Sequence, residues 1–446
     1  VADPTSITGY SATSTITITG QITHTEASTL SAVAATTITA TVAPTTAANL
    51  SAITVLGGRT NAFTLTTTDT TATAAALNAV KAISSVAPVF TSVTGITSSP
   101  ASDVISLYAD TNATLGDETV ILSDTTVAAA DLNTIDAATS GAITATAATT
   151  ITGLVAAVET AMQSGGITDN ADVAITITDT TVDAEAIEDV DDLTTGLVTA
   201  SSATAITGTN AEVLAALTAS AAGTAIAGLG ATNVTLSDAT VTVDQVNAID
   251  LLTTGAITAT IAATETHAEL ATLAGTGHAL TITTPAATAT AAQLNTINAA
   301  TTLPVDAALT TGIVATSSFA DINTLYTAAA AGEITGLGNE PITPGVALTV
   351  AQANTLDAHT TGIITATISD GDLTTLAGLT GTGNAYTVVV TDTTVSAAAL
   401  AALDAKTTVD VDATATTTIT GTLAEVVASY AADAAGATTN LDGDEA

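Results

Sequence analysis

The chain contains no cysteine, no tryptophan and one methionine, and its only cationic side chains are Arg59, Lys81 and Lys406. Without cysteine there are no disulfides, thiolate nucleophiles or zinc–thiolate sites. Aromatics make up 2% of the chain, although 47% of it is hydrophobic. The apolar mass is therefore alanine, valine, isoleucine and leucine, which suits many thin layers better than one deep core. Three cations against 42 aspartates and glutamates leave a formal charge of −39. A surface of that sign repels phosphate backbones and anionic lipids and attracts divalent cations. Nucleic acid is excluded as a partner on this ground. No uninterrupted apolar run reaches the ~18 residues of a membrane span, so membrane insertion is not expected.

What is present is repetition. SDTTVAAADLNTIDA from Ser123, TDTTVDAEAIEDVDD from Thr178, SDATVTVDQVNAIDL from Ser237 and TDTTVSAAALAALDA from Thr391 restate one segment. Its central apolar residue recurs as Ala27, Leu77, Leu132, Ile187, Val246, Leu294, Ala353 and Leu400. Three residues on stand Leu30, Val80, Ile135, Val190, Ile249, Ile297, Leu356 and Leu403, an i, i+3 apolar stripe that predicts a short helix. Four residues before the anchor stand Thr23, Thr73, Ala128, Asp183, Thr242, Thr290, Thr349 and Ser396, of which all but Ala128 can cap a helix N-terminus. Glu26, Asp131, Gln245, Gln293 and Gln352 occupy the position that closes a capping box. Four residues after the anchor come Asp136, Asp191, Asp250, Asn298, Asp357 and Asp404. An aspartate there opposes the helix dipole, and the Thr-Thr-Gly that follows in several copies predicts an Asx-type turn.

ITAT at Ile38–Thr41, Ile143–Thr146, Ile257–Thr260 and Ile364–Thr367 predicts a strand with one solvated face, and Pro88 breaks it in the second copy. A second helix is marked by Leu50/Ile53, Val104/Leu107, Val155/Val158, Leu214/Leu217, Leu270/Leu273, Ile322/Leu325, Leu373/Leu376 and Val427/Tyr430. The distance from anchor to second helix alternates short and long along the chain, so two units form the true period. The reading is one array of eight repeats, at 12–59, 60–115, 116–168, 169–230, 231–276, 277–338, 339–382 and 383–446, paired into four super-repeats.

A strand and short helix every ~25 residues cannot bury its stripe alone, but stacked copies can. The expected fold is α/β, a tandem-repeat solenoid of strand–short helix half-units with parallel strands. An all-β repeat array and a string of small β-sandwich domains are the alternatives. The first strand, STITITGQIT, and the last helix, AEVVASYAADAA, resemble interior elements, which predicts that a further layer covers them.

Chemistry is sparse. His24, His267, His278 and His359 sit in different copies and form neither HxH nor HExxH. There is no GxSxG and no P-loop, and GTGHAL and GLGATN lack the third glycine of a dinucleotide fingerprint. The chain is read as non-enzymatic and without a cofactor, calcium being the one open possibility. EDVDD at Glu188–Asp192, SDGD at Ser369–Asp372 and the terminal LDGDEA are acidic but lack EF-hand spacing. Asp136, Asp191, Asp250, Asp357 and Asp404 could stack in a column and hold calcium between layers. Regular Thr-x-Thr resembles the motif of ice-binding solenoids, though Pro88 and Asp412 interrupt it.

The stretch ALTVAQANTLDAHTTGIITATISDGDLTTLAGLTGTGNAYTVVVTDTTVSAAALAALDA, residues 347–405, resembles the tandem segments of giant repetitive cell-surface and extracellular proteins of marine cyanobacteria. The likeness runs through nearly the whole chain and carries no functional residues. It implies a secreted, non-enzymatic structural role. The expectation is an extracellular or cell-surface protein that polymerises with itself into a filament, sheath or surface layer. An adhesin or fibre-type binding module is the alternative, and an ice-binding solenoid a third reading.

Overall fold

The structure is a computed structural model, and it describes residues 15–34, 36–55, 60–109, 114–168, 170–314, 317–434 and 438–439. Arg59, Ser14 of the first predicted strand and the terminal LDGDEA lie outside the described residues. The chain divides into two compact units, one of Val1–Thr207 with Ala211–Thr232 and one of Gly208–Asn210 with Asn233–Ala446.

The first unit carries α1 (His24–Val33), α2 (Ala47–Ser51), α3 (Ala74–Lys81), α4 (Ala101–Tyr108), α5 (Ala129–Asp136), α6 (Val155–Gln163), α7 (Ala184–Asp192) and most of α8 (Asn210–Ala222). The second carries α9 (Val243–Asp250), α10 (His267–Leu270), α11 (Ala291–Ala300), α12 (Phe319–Ala331), α13 (Val350–Asp357), α14 (Leu373–Leu376), α15 (Ala397–Asp404) and α16 (Leu423–Ala434). The odd-numbered helices begin one residue after the eight aligned positions, seven of which are predicted caps. The side chains of Thr23, Thr73, Asp183, Thr242, Thr290 and Thr349 each accept a backbone N–H of the first turn. Glu26, Gln245, Gln293 and Gln352 close capping boxes, whereas Asp131 has no partner box because its helix starts after Ala128.

Between helices lie short strands, and the strand pairs run parallel. In the first unit one sheet has the order Ile167–Thr168, Ile143–Thr144, Thr119–Leu122, Gly95–Ser99, Thr71–Ala72. Val120 lies opposite Ile143, and Ile143 opposite Ile167. A second sheet aligns Val127 with Ile151, Ile151 with Ile175 and Ile175 with Val198. In the second unit Val234 aligns with Ile257, and Ala259 with Leu280. The same face therefore returns after one strand–helix half-unit, here called a rung. A parallel neighbour can be reached only by a crossover, and the helix supplies it.

Ile38–Val42 shows how a rung is sided: Ile38, Ala40 and Val42 are buried while Thr39 and Thr41 are exposed. The inward residues meet the helix stripes, where Leu77, Val80, Leu132, Ile135, Ile187 and Val190 are all fully buried. Each such side chain contributes about 1.5–3 kcal/mol by leaving water. Phe63, Phe90 and Tyr386 are the largest rings in these thin layers.

Parallel ladders exclude the string of antiparallel sandwiches, and helices of eight to thirteen residues in most rungs exclude the all-β array. Two predicted stripes shift. In α8 the buried apolar residues are Val213, Ala216 and Leu217, because this longer helix turns that face inward, and Leu214 is only half-buried. On α16, Val427 is 58% exposed and Leu423 82%. At Pro88, which has no N–H to give, only isolated bridges from Ser84 and Val89 remain where the other copies have a strand.

Candidate functional site

The recurring chemistry of the chain lies where one rung meets the next. Each helix leaves its first N–H groups without an intrahelical partner. In α2, α13 and α14 the helix's own cap takes one and the following rung takes another; in α4 and α6, which have no side-chain cap of their own, the following rung supplies the acceptor. The N–H of Ala47 donates to Asp69 Oδ2 at 2.5 Å, that of Ala101 to Asp124 at 2.8 Å and that of Val155 to Asp179 at 2.8 Å. Val350 donates to Asp370 at 2.7 Å and Leu373 to Asp392 at 2.6 Å. Ser99 and Ser317 accept in the same way from Ala74 and Ala291, each at 2.8 Å. The aspartates of four Asp-Thr-Thr segments, Asp69, Asp124, Asp179 and Asp392, and Asp370 of Ser-Asp-Gly-Asp thus each cap a helix that begins 19 to 24 residues earlier, with the charge at the positive end of the dipole.

A second tie is an asparagine one residue after the anchor. Asn78, Asn133, Asn247, Asn295 and Asn354 donate from Nδ2 to the carbonyls of Asp103, Ala157, Thr272, Asp321 and Gly378, at 2.7 to 2.9 Å. The capping and stripe positions do not predict these ties; their signal in the sequence is an asparagine repeating at a fixed offset from an apolar anchor. In the fourth copy the position holds Glu188. Burial raises its pKa, and Glu212, Asp192, Asp191 and Asp189 raise it further.

The helix exit is not the predicted Asx turn. Ser84, Thr139, Thr194, Thr253, Thr301, Thr360 and Thr407 each accept, through the hydroxyl, the N–H two residues on. Most of these hydroxyls donate in turn to the previous rung, as Thr139 does to the Glu118 carbonyl and Thr360 to that of Glu340, both at 2.8 Å. A hydroxyl can do both at once, whereas a carboxylate only accepts. A Cβ on Gly141 or Gly362 would overlap those same carbonyls, so the exit glycines allow close approach of two backbones.

The aspartates at the exits instead reach forward. Asp136 accepts from Ser164 Oγ at 2.8 Å, Asp357 from Asn384 Nδ2 at 2.8 Å, and Asp250 Oδ1 lies 3.1 Å from His278 Nε2. Asp191 and Asp404 have raised pKa values, through burial first and then through Asp192 and Asp410 respectively. The five calcium candidates are therefore distributed one to a rung with different partners. Among the described residues no three histidine or acidic side chains come together in a metal-holding group. In SDGD, Asp370 caps Val350 and Asp372 caps α14, accepting from Thr374 and Thr375. An open cleft of about 330 Å³ lined by Asp357, Thr360, Gly381 and Asn384 lies between two exits.

Among the described residues two carboxylates are buried. Glu118, 1% exposed, accepts from the Tyr108 hydroxyl at 3.0 Å and from the Gly116 N–H at 2.8 Å. Glu340, 3% exposed, accepts from the Tyr326 hydroxyl and from the N–H groups of Gly338 and Asn339, at 2.7 and 3.0 Å. Burying a carboxylate is costly unless donors surround it. Burial beside a carboxylate raises the pKa of both tyrosines. The signal in the sequence is Gly-x-Glu, at Gly116–Glu118 and again at Gly338–Glu340.

On the outward strand face threonine meets threonine at Thr17/Thr39, Thr235/Thr258, Thr41/Thr64, Thr260/Thr281 and Thr367/Thr387, but both columns are interrupted: Ala62, Ala279 and Ala385 face Thr39, Thr258 and Thr365, and Gln21 faces Thr41. No helix among the described residues is long and apolar enough to cross a membrane. No family model, curated protein or solved structure matches this chain.

Proposed function

We propose that this chain is an extracellular structural repeat protein that extends a filament, sheath or surface layer by end-to-end or lateral association with copies of itself. Its work is mechanical rather than catalytic. The observation that carries this reading is the division of each bond set between neighbours: a helix in one rung is capped by an aspartate in the next, and an exit hydroxyl in one rung bonds a carbonyl of the last. A rung is thus completed by a rung of its own kind. The near-absence of cations supports association that depends on salt, because copies of charge −39 repel until screened.

Electron microscopy of the purified chain across a series of salt and calcium concentrations tests the proposal. Filaments or sheets that appear as screening rises are expected. Discrete particles under every condition would count against self-assembly and favour a fibre-type binding module.

A further inference from the structure

Two of the four histidines are buried, and both lie in one short stretch of the second unit. His267 is 4% exposed and His278 2%. His278 stands where other rungs use asparagine. Asn61 Oδ1 accepts the Ile38 N–H at 3.1 Å while its Nδ2 donates to Ser31 at 3.0 Å. Asn384 Oδ1 accepts the Ile364 N–H at 2.9 Å while its Nδ2 donates to Asp357 at 2.8 Å. In the same way His278 Nδ1 accepts the Ile257 N–H at 3.1 Å, which places the ring proton on Nε2, 3.1 Å from Asp250 Oδ1 and without hydrogen-bond alignment. An amide always offers one acceptor and one donor. An imidazole does so only while neutral, and a second proton on Nδ1 would point at the Ile257 N–H.

His267 opens α10, a helix of four residues, and its Nε2 lies 3.5 Å from Thr310 Oγ1, which also meets Thr284 Oγ1 at 3.0 Å. Burial holds its pKa below the ordinary value. The neutral ring therefore favours the folded rung above the unfolded value of about 6.5, and this support is lost as pH falls toward the folded value. The ionisable groups on the elements packed around the two rings are Asp244 and Asp250 on α9, Glu265 and Glu269 at the start of α10, and Asp306 on the neighbouring strand. Asp250 Oδ1 is the carboxylate oxygen within reach of the His278 ring, 3.1 Å from Nε2.

We propose that residues 257–284 form an acid-sensitive joint: protonation of His278 exchanges its bond to Ile257 for an ion pair with Asp250, and protonation of His267 drives that ring from the apolar layer, so this rung opens while asparagine-bridged rungs stay closed. The joint does not depend on the assembly proposed above, and hydrogen exchange in dilute protein tests it separately.

The experiment is hydrogen exchange of the full chain at pH 7.5 and 5.5, with times scaled for the intrinsic pH dependence of exchange. Peptides from 257–284 should exchange faster at the lower pH, by up to about tenfold for each histidine that the closed rung keeps neutral. Peptides from 38–64 and 364–387 should not. The variant His267→Leu with His278→Asn should lose the difference, and Asn384→His should confer one on 364–387. An acid response in 257–284 no greater than in the asparagine-bridged rungs would overturn the proposal. So would a response that survives His278→Asn alone undiminished.

Discussion

Replacing Glu188 by asparagine should tighten the junction of α7 and α8. Five copies place an asparagine at this point and donate to a carbonyl of the neighbouring helix or its exit, at 2.7 to 2.9 Å. In α3/α4 and α11/α12 the acceptor is the third residue of the second helix, which in α8 is Glu212. An ionised glutamate has no hydrogen to donate, and Glu188 faces the charges of Glu212, Asp192, Asp191 and Asp189. Glu188→Asn adds one hydrogen bond, about 1 kcal/mol, and removes a partly screened repulsion worth roughly a few tenths. Glu188→Gln removes only the charge. Amides of α7 and α8 should therefore exchange about five- to tenfold more slowly in the asparagine variant, and hardly more slowly in the glutamine variant. The folded-state pKa of Glu188 is raised, so the wild-type deficit is full above that value and shrinks as pH falls through it toward the unfolded value. Equal protection in both variants would refute the asparagine tie; faster exchange in Glu188→Asn would refute the register.

Other substitutions probe the remaining ties. Asp179→Ala leaves the Val155 N–H without its acceptor and should cost about 1–2 kcal/mol, with Asp179→Asn costing less; exchange of the first turn of α6 reads this directly. Thr360→Val removes the bond given to Glu340 and the one taken from Gly362, about 2 kcal/mol together, while Thr360→Ser keeps both, and thermal melts followed by circular dichroism should rank them in that order. Gly362→Ala places a methyl on the Glu340 carbonyl oxygen, a backbone atom that cannot swing aside, and should lower urea resistance by about 1–3 kcal/mol.

The sequence carries the local half of this fold plainly. Caps such as Thr242 and Thr349, with Gln245 and Gln352 closing the box, fix where helices begin because all the partners lie within four residues. Strand sidedness at Ile38–Val42 follows from alternation alone. What joins rungs was harder to see. Asp179 reads locally as a turn residue, and its partner Val155 is 24 residues away, in a register that no single copy defines. The exits mislead for a related reason. The prominent aspartates suggested Asx turns, but Thr139 and Thr360 hold the turns and leave Asp136 and Asp357 to reach the next rung. The tyrosine–glutamate pairs were missed because Glu118 and Glu340 each occur in one rung of their unit and so lack the periodicity that exposed everything else.

The claim beneath the whole account is that no rung pair stands without neighbours. Fragments holding one, two, three and four consecutive repeats, beginning with residues 116–168 alone, can be compared by circular dichroism and urea unfolding. The account predicts an unfolded single repeat, with helicity and midpoint rising as each repeat is added. A single repeat that unfolds cooperatively as a compact monomer would contradict it.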